Sequence, residues 1–125
     1  MDPAELHSMA VQAKQRAYAP YSGFAVGAAL LAEDGSVVLG GNVENASYGM
    51  TICAERSAVV RALAEGHRQF SAVAVAADAA TCPPCGACRQ VLIEFAAAGM
   101  TVTFPRDGDV VTVALDELLP VAFEL

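Results

Sequence analysis

The sequence predicts a single α/β domain spanning residues 1–125, built on a mixed five-stranded sheet with helices on both faces. Two observations predict this class. Segments of helical period alternate with short strand-like runs in the order helix, hairpin, helix, strand, helix, hairpin, short helix. In addition, 55% of the 125 residues are hydrophobic, which suits one well-buried core with surplus apolar surface for subunit contacts.

The elements follow in order along the chain. Residues 3–17 are predicted to form a helix, because Asp2 can cap it and Pro3 suits its first position. A hairpin of residues 24–31 and 37–43 turns at the Asp-Gly pair of residues 34–35. The remaining predictions are helices at 53–65, 85–98 and 116–119 and strands at 71–77, 101–104 and 110–113. Gly99 is the predicted C-terminal cap of the third helix.

Two cysteine-containing stretches stand at the predicted starts of the second and third helices. The first contains Cys53 and Glu55, and the second contains Cys85 and Cys88 after a proline. A catalytic zinc site needs three protein ligands, an open position for water and a nearby carboxylate. A lone C-x-x-C is weak, since it also occurs in redox and structural metal sites. A C-x-E followed by P-C-x-x-C is typical of zinc-dependent nucleobase deaminases.

Other polar residues and one aromatic residue have a functional and a structural interpretation. Glu55 lies on the buried stripe of its helix, where a carboxylate needs a partner or a task, and a structural ion pair is the alternative. Asn42 and Glu44 end an apolar strand, where ordinary loop polarity is the alternative. Phe24 could pack in the core or contact a ligand. Arg56 could lie near the metal ligands or extend into solvent.

Charge and composition narrow the choice of partners. The formal net charge of -7 would repel a polyanion at long range, which argues against nucleic acid as the substrate. No run approaches the roughly 18 apolar residues of a membrane span, and the acidic start lacks the features of a signal peptide. Four cysteines without an export signal indicate a reducing, cytoplasmic setting in which metal binding or catalysis outranks disulfides.

Several motifs in succession resemble the cytidine and deoxycytidylate deaminase family, specifically its homotetrameric zinc-dependent cytidine deaminases. The resemblance covers residues 21–30, residues 41–49, both cysteine stretches, and Glu117–Pro120 with Phe123 three residues later. It implies a three-layer α/β/α sandwich. It also implies hydrolysis of cytidine and deoxycytidine to uridine and deoxyuridine with release of ammonia, a reaction of pyrimidine salvage.

The resemblance also implies a role for each matching residue. One zinc ion per chain would be held by the thiolates of Cys53, Cys85 and Cys88. Glu55 would shuttle protons, and Arg56 would hydrogen-bond to the ligand sulfurs. Substrate contacts would come from Phe24 on the base, Asn42 and Glu44 on the ribose, with Glu44 at the 3'-hydroxyl, and the backbone around Ala54. A neighbouring subunit's site would be reached by Ala46, Tyr48 and Phe123.

Two departures from the family pattern are minor: Met50 replaces a commoner leucine, and Cys82 is an extra thiol. Three alternatives remain open on the sequence. A structural zinc or redox protein could use all four cysteines in a closed site. A blasticidin S deaminase would share the zinc scaffold, although the ribose motif of residues 42–45 favours cytidine. A nucleic-acid editing deaminase would share the zinc motifs, but the acidic chain argues against it.

Overall fold

The computed structural model describes residues 1–125 and contains one five-stranded sheet with the strand order β2-β1-β3-β4-β5. The strands are β1 (Val26–Ala32), β2 (Val37–Gly41), β3 (Phe70–Ala77), β4 (Ala96–Arg106) and β5 (Asp109–Ala114). Only β3 and β4 pair in parallel; the other three pairs are antiparallel. The predicted mixed five-stranded sheet is confirmed.

Helices cover both faces of this sheet, as predicted. Helix α1 (Pro3–Lys14) buries its apolar side against one face, in a small cluster that includes Leu6 and Ala10. On the other face, α2 (Ala54–Ala64) and α3 (Gly86–Glu94) close the larger cluster, and α4 (Leu115–Leu118) adds Leu115 to it. Alternate residues of β1 explain the two clusters, because successive side chains of a strand point to opposite faces.

The close contact between α1 and the sheet depends on a glycine of β1. A Cβ atom built on Gly27 would lie 2.0 Å from the Ala10 carbonyl oxygen and 2.4 Å from the Lys14 nitrogen. The helix backbone therefore rests directly on the strand backbone, and no larger residue fits between them.

The end of the third helix is the clearest error of the sequence prediction. The helix was expected to reach residue 98 with Gly99 as its cap, but α3 ends at Glu94 and β4 already begins at Ala96. Alanine favours helix, yet the backbone N–H of Phe70 donates to the Phe95 carbonyl at 3.0 Å and Phe70 pairs with Ala96. Pairing with β3 thus overrides local propensity, and Gly99 adopts a φ of 77° inside β4.

The first helix is also shorter than expected, ending at Lys14 instead of residue 17. Its start is as predicted, since the Asp2 side chain accepts a hydrogen bond from the Ala4 N–H at 3.1 Å. None of the helices combines the length and apolar character that crossing a membrane requires.

Candidate active site

Three cysteine sulfurs converge where α2 and α3 begin. Cys53 and Cys85 are the N-cap residues of these helices, and neither side chain caps its own helix by a hydrogen bond. Cys88 lies in the first turn of α3 and is fully buried. The Sγ atoms of Cys53 and Cys85 are 3.9 Å apart and those of Cys85 and Cys88 are 3.5 Å apart. All three sulfurs lie within 4.8 Å of one another and could hold one metal ion.

This spacing fits zinc. With Zn–S bonds of about 2.3 Å, tetrahedral coordination places neighbouring sulfurs about 3.8 Å apart, and the two measured distances lie within a few tenths of an ångström of that value. Three soft thiolates are also a donor set that zinc accepts readily. Cys82 is not in the group of sulfurs that could share a metal. Its thiol packs against the core instead, and burial raises its pKa.

Glu55 supplies the predicted carboxylate and is buried beside the thiols in the first turn of α2. Glu55 is only 5% exposed. Burial raises the pKa of this carboxyl to about 7, with the Cys53 charge acting in the same direction. No ion pair forms with Glu55, so the structural alternative raised by the sequence lacks a partner.

Arg56 places a positive charge beside the sulfurs. Its guanidinium lies 3.6 Å from the Cys53 sulfur, and this contact is the largest cause of a raised Arg56 pKa. A hydrogen bond with Cys88 lowers the pKa of Cys53 to about 5, while the same contact raises that of Cys88. The N-terminal ends of α2 and α3 add partial positive charge at the same place.

A cavity of about 430 Å³ opens next to the start of α2 and is lined by Tyr21, Ser22, Glu44, Tyr48 and Thr51. Two backbone hydrogen bonds join the segments on either side of Glu44 and Thr51. Val43 N donates to the Ile52 carbonyl at 2.9 Å, and Ile52 N donates to the Val43 carbonyl at 3.0 Å. The segment that carries Glu44 therefore runs beside the segment that leads into Cys53.

Asn42 and Phe24 are also brought together, although in a way that the sequence does not predict. The Asn42 amide nitrogen donates to the Phe24 carbonyl at 2.9 Å, and its Oδ1 accepts from the Val26 N–H at 2.8 Å. Asn42 is therefore buried against the backbone that presents Phe24. Each of its polar atoms retains one further hydrogen-bonding position, and the Phe24 side chain remains 41% exposed.

The three residues assigned to a neighbouring subunit's site are exposed but not clustered. Ala46 is exposed, and Tyr48 is 76% exposed while packing edge-to-face on Tyr21 at a ring-centroid distance of 6.1 Å. Phe123 lies elsewhere, in the tail after α4, and is 71% exposed. Its carbonyl accepts a hydrogen bond from the Gln90 side chain at 3.3 Å.

Sequence reasoning assigned no role to two residues that organise this region. Ser22 donates a hydrogen bond from its hydroxyl to the Glu44 carboxylate. Arg89 donates from Nε to the Pro84 carbonyl at 2.8 Å and from a terminal nitrogen to the Leu118 carbonyl at 2.9 Å. Arg89 thus joins the loop before Cys85 to the C-terminal helix. Both residues lie inside the recognised motifs, but only the fold shows their partners.

Comparison with known proteins identifies the family. A family model described as the cytidine and deoxycytidylate deaminase zinc-binding region matches residues 2–104. The chain belongs to this family. A cytidine deaminase of Halalkalibacterium halodurans is 52% identical over 125 residues, covering 98% of this chain and 95% of the relative. One from Sporosarcina psychrophila is 48% identical over 125 residues, covering 98% and 92%.

Solved structures give the same result. The crystal structure of a Burkholderia pseudomallei cytidine deaminase superimposes with a TM-score of 0.92 at 48% identity, covering 98% of this chain and all of that chain. The Mycobacterium tuberculosis cytidine deaminase gives a TM-score of 0.84 at 41% identity, covering 100% and 99%. These similarities confirm the predicted fold class and family.

Proposed function

We propose that this chain is a zinc-dependent cytidine deaminase, a single catalytic domain over residues 1–125 that hydrolyses cytidine and deoxycytidine. The products are uridine or deoxyuridine and ammonia. One observation carries the proposal: three sulfurs spaced for a single zinc ion lie where α2 and α3 begin, together with a buried carboxylate that forms no ion pair. Three protein ligands leave one tetrahedral position open, as catalytic zinc sites require and closed structural sites do not.

The reaction needs a nucleophile at C4 of the base and a carrier for protons. Cys53, Cys85 and Cys88 would hold the zinc ion, which when bound would make water acidic enough to yield hydroxide near neutral pH. Glu55 accepts the proton that this water loses and delivers it to N3 of the pyrimidine. A carbon–oxygen bond forms at C4, and the bond from C4 to the exocyclic nitrogen then breaks. Glu55 then takes the proton of the new C4 hydroxyl group and passes it to the departing amine, which leaves as ammonia while C4 keeps the oxygen as a carbonyl.

The environment of Glu55 supports this role. A proton shuttle must both hold and release its proton, and efficiency is greatest when its pKa lies near the working pH. Burial at the start of α2 raises the pKa of the Glu55 carboxyl toward the working pH. Arg56 offsets the negative charge of the thiolates through its contact with the Cys53 sulfur.

We assign the substrate contacts to four residues, of which Glu44 lines the cavity described above. The ring of Phe24 stacks on the base, and the backbone around Ala54 contacts the pyrimidine edge. Glu44 accepts a hydrogen bond from the 3'-hydroxyl, and Asn42 uses its remaining hydrogen-bonding positions on the ribose. The support is spatial, because the hydrogen bonds between Val43 and Ile52 hold the segment that carries Asn42 and Glu44 beside the segment that leads into Cys53.

We further propose that the active species is a homotetramer in which Ala46, Tyr48 and Phe123 help to form neighbouring sites. Tyr48, Met50 and Phe123 are each more than two-thirds exposed in the isolated chain, so their apolar surface is available for subunit contacts. A closed arrangement of twofold-related dimers would cover them. Light scattering together with activity tests this, and a fully active monomer would refute the shared site.

The cellular role proposed is pyrimidine salvage in the cytoplasm. All four cysteines are free, which suits a reducing compartment. Nucleic acid is not the proposed substrate, since the chain carries a net charge of -7.

The deciding experiment follows ultraviolet absorbance as purified, zinc-loaded protein converts cytidine to uridine. Deoxycytidine should react as well, because a carboxylate committed to the 3'-hydroxyl leaves the 2' position free. Free cytosine should react poorly, since the sugar contacts help to place the base. Absence of turnover with either nucleoside would overturn the proposed function. Equal turnover of cytosine and cytidine would show that the sugar contacts are misassigned.

A further inference from the structure

The Glu44 carboxylate is held by three donors from one short turn. The backbone N–H groups of Tyr21 and Ser22 donate to Oε1 at 2.9 Å and 3.1 Å. The Ser22 hydroxyl donates to the other oxygen, Oε2. Because both oxygens are engaged, the plane of the carboxylate is set, although Glu44 is only partly buried. A glutamate without these donors would sample several rotamers at this position.

The same hydroxyl is bound on its other side by the residue assigned to the base. Phe24 N–H donates to Ser22 Oγ at 2.9 Å, which closes a small turn that Gly23 permits with a φ of 70°. Ser22 therefore connects Phe24 with Glu44 through a single oxygen atom. Asn42 holds the far side of the Phe24 backbone. A displacement of about 1 Å in such a frame is enough to cost about 100-fold in rate.

The donors also determine the charge of Glu44. The Ser22 hydroxyl is the largest cause of a lowered Glu44 pKa, followed by the N–H groups of the turn. The other titratable side chains that line the cavity are those of Tyr21 and Tyr48. Glu44 is accordingly an acceptor without a proton of its own, and its natural partner is a hydroxyl donor.

We propose that Ser22 is a positioning residue for nucleoside specificity, holding Glu44 in the orientation that accepts the sugar 3'-hydroxyl and tying it to Phe24. This inference rests on the proposed function. If it is correct, Ser22 matters only for substrates that present a 3'-hydroxyl. A residue needed merely for folding would affect every substrate alike.

The test compares cytidine with 3'-deoxycytidine in wild type, Ser22→Ala and Ser22→Thr. Hydrogen bonds to charged groups are strong enough that Ser22→Ala should raise KM for cytidine about tenfold or more, with a smaller change in kcat. With 3'-deoxycytidine, wild type should already be weak, and the serine substitution should change KM less than about twofold. Ser22→Thr keeps the hydroxyl and should restore cytidine KM. Zinc content and melting temperature establish that each variant is folded.

Two further variants make the result specific. Ser8→Ala is the matched control, because the Ser8 hydroxyl bonds only to the Ala4 carbonyl of its own helix α1. This variant should leave the KM for both substrates unchanged. In a Glu44→Gln background, Ser22→Ala should add little to the cytidine KM, since Ser22 acts through Glu44.

The outcomes separate this inference from the function on which it rests. A wild-type enzyme that converts neither nucleoside would overturn both. If the enzyme is active and Ser22→Ala raises the KM for both nucleosides equally, or for neither, only the role of Ser22 would be overturned. Wild-type KM values that are equal for cytidine and 3'-deoxycytidine would overturn the contact between Glu44 and the 3'-hydroxyl.

Discussion

Replacing each of the four cysteines by serine distinguishes the catalytic site from a closed structural one. The structure separates Cys82 from the other three, whose sulfurs lie within 4.8 Å of one another. Cys82 precedes two prolines, and its N–H donates to the Pro105 carbonyl at 2.9 Å, which ties it to the end of β4. We expect Cys82→Ser to keep one zinc per chain and most of the activity, and each of the other three variants to lose both.

The size of the effect follows from the geometry. The sulfur pairs at 3.9 Å and 3.5 Å bracket the spacing that zinc requires, so we expect each of the three ligands to contribute to zinc binding. Structural zinc held by four ligands is bound with roughly 10–16 kcal/mol, or about 3 kcal/mol for each ligand. Loss of Cys53, Cys85 or Cys88 should therefore weaken zinc binding by about 100-fold or more. Cys82→Ser should change it less than about threefold, because no ligand is lost.

The assay is competition for zinc between the purified protein and a chromogenic chelator, with metal content measured separately by atomic absorption. Cytidine turnover is recorded on the same samples, so that loss of zinc and loss of activity can be compared. Cys82→Ser is the matched control, since it removes a partly buried thiol of the same region. If Cys82→Ser lost its zinc while any one of the other three variants kept it, the assignment of ligands would be wrong.

Three further predictions concern the proposed proton shuttle, the carboxylate proposed to bind the sugar, and the fold. Glu55→Gln should keep zinc and fold but lose at least about 10²–10⁴-fold in kcat, because the carboxylate acts in more than one proton transfer; an active variant would end that assignment. The ratio of cytidine KM between Ser22→Ala and wild type should widen as the pH falls. The lowered pKa keeps wild-type Glu44 ionised to lower pH, and without the hydroxyl the carboxyl takes up its proton at a higher pH. Measuring both enzymes at each pH cancels effects that they share, and a constant ratio would contradict this cause. Gly27→Ala should destabilise the fold by about 1–3 kcal/mol, because its Cβ would overlap the backbone of α1; an unchanged denaturation midpoint would show that α1 moves freely.

Local signals predicted the parts of the fold that depend on neighbouring residues. Asp2 and Pro3 begin α1 as expected, and the Asp-Gly pair forms the turn between β1 and β2. The ends of α3 and β4 could not be predicted in the same way. The alanines after Phe95 favour helix by themselves, and only the backbone of β3, distant in sequence, recruits them into a strand.

The candidate site divides in a similar way. The spacing of Cys53, Glu55, Cys85 and Cys88 indicates zinc and acid–base chemistry directly, because a ligand pair one helical turn apart and an acid two residues after a cysteine are local features. The sequence also separates Cys82, since two prolines follow it.

Only the tertiary structure decided how these groups meet. Cys53 and Cys85 are 32 positions apart, and their sulfurs come within 3.9 Å because α2 and α3 pack on the same face of the sheet. Likewise, the turn at Ser22 meets Glu44 across 22 positions of chain. Hydrogen bonds between such distant segments depend on the register of β1 and β2, and no local preference of Ser22 specifies that register. The sequence alone therefore predicts the chemistry of the site, whereas the fold determines which donors hold and orient its side chains.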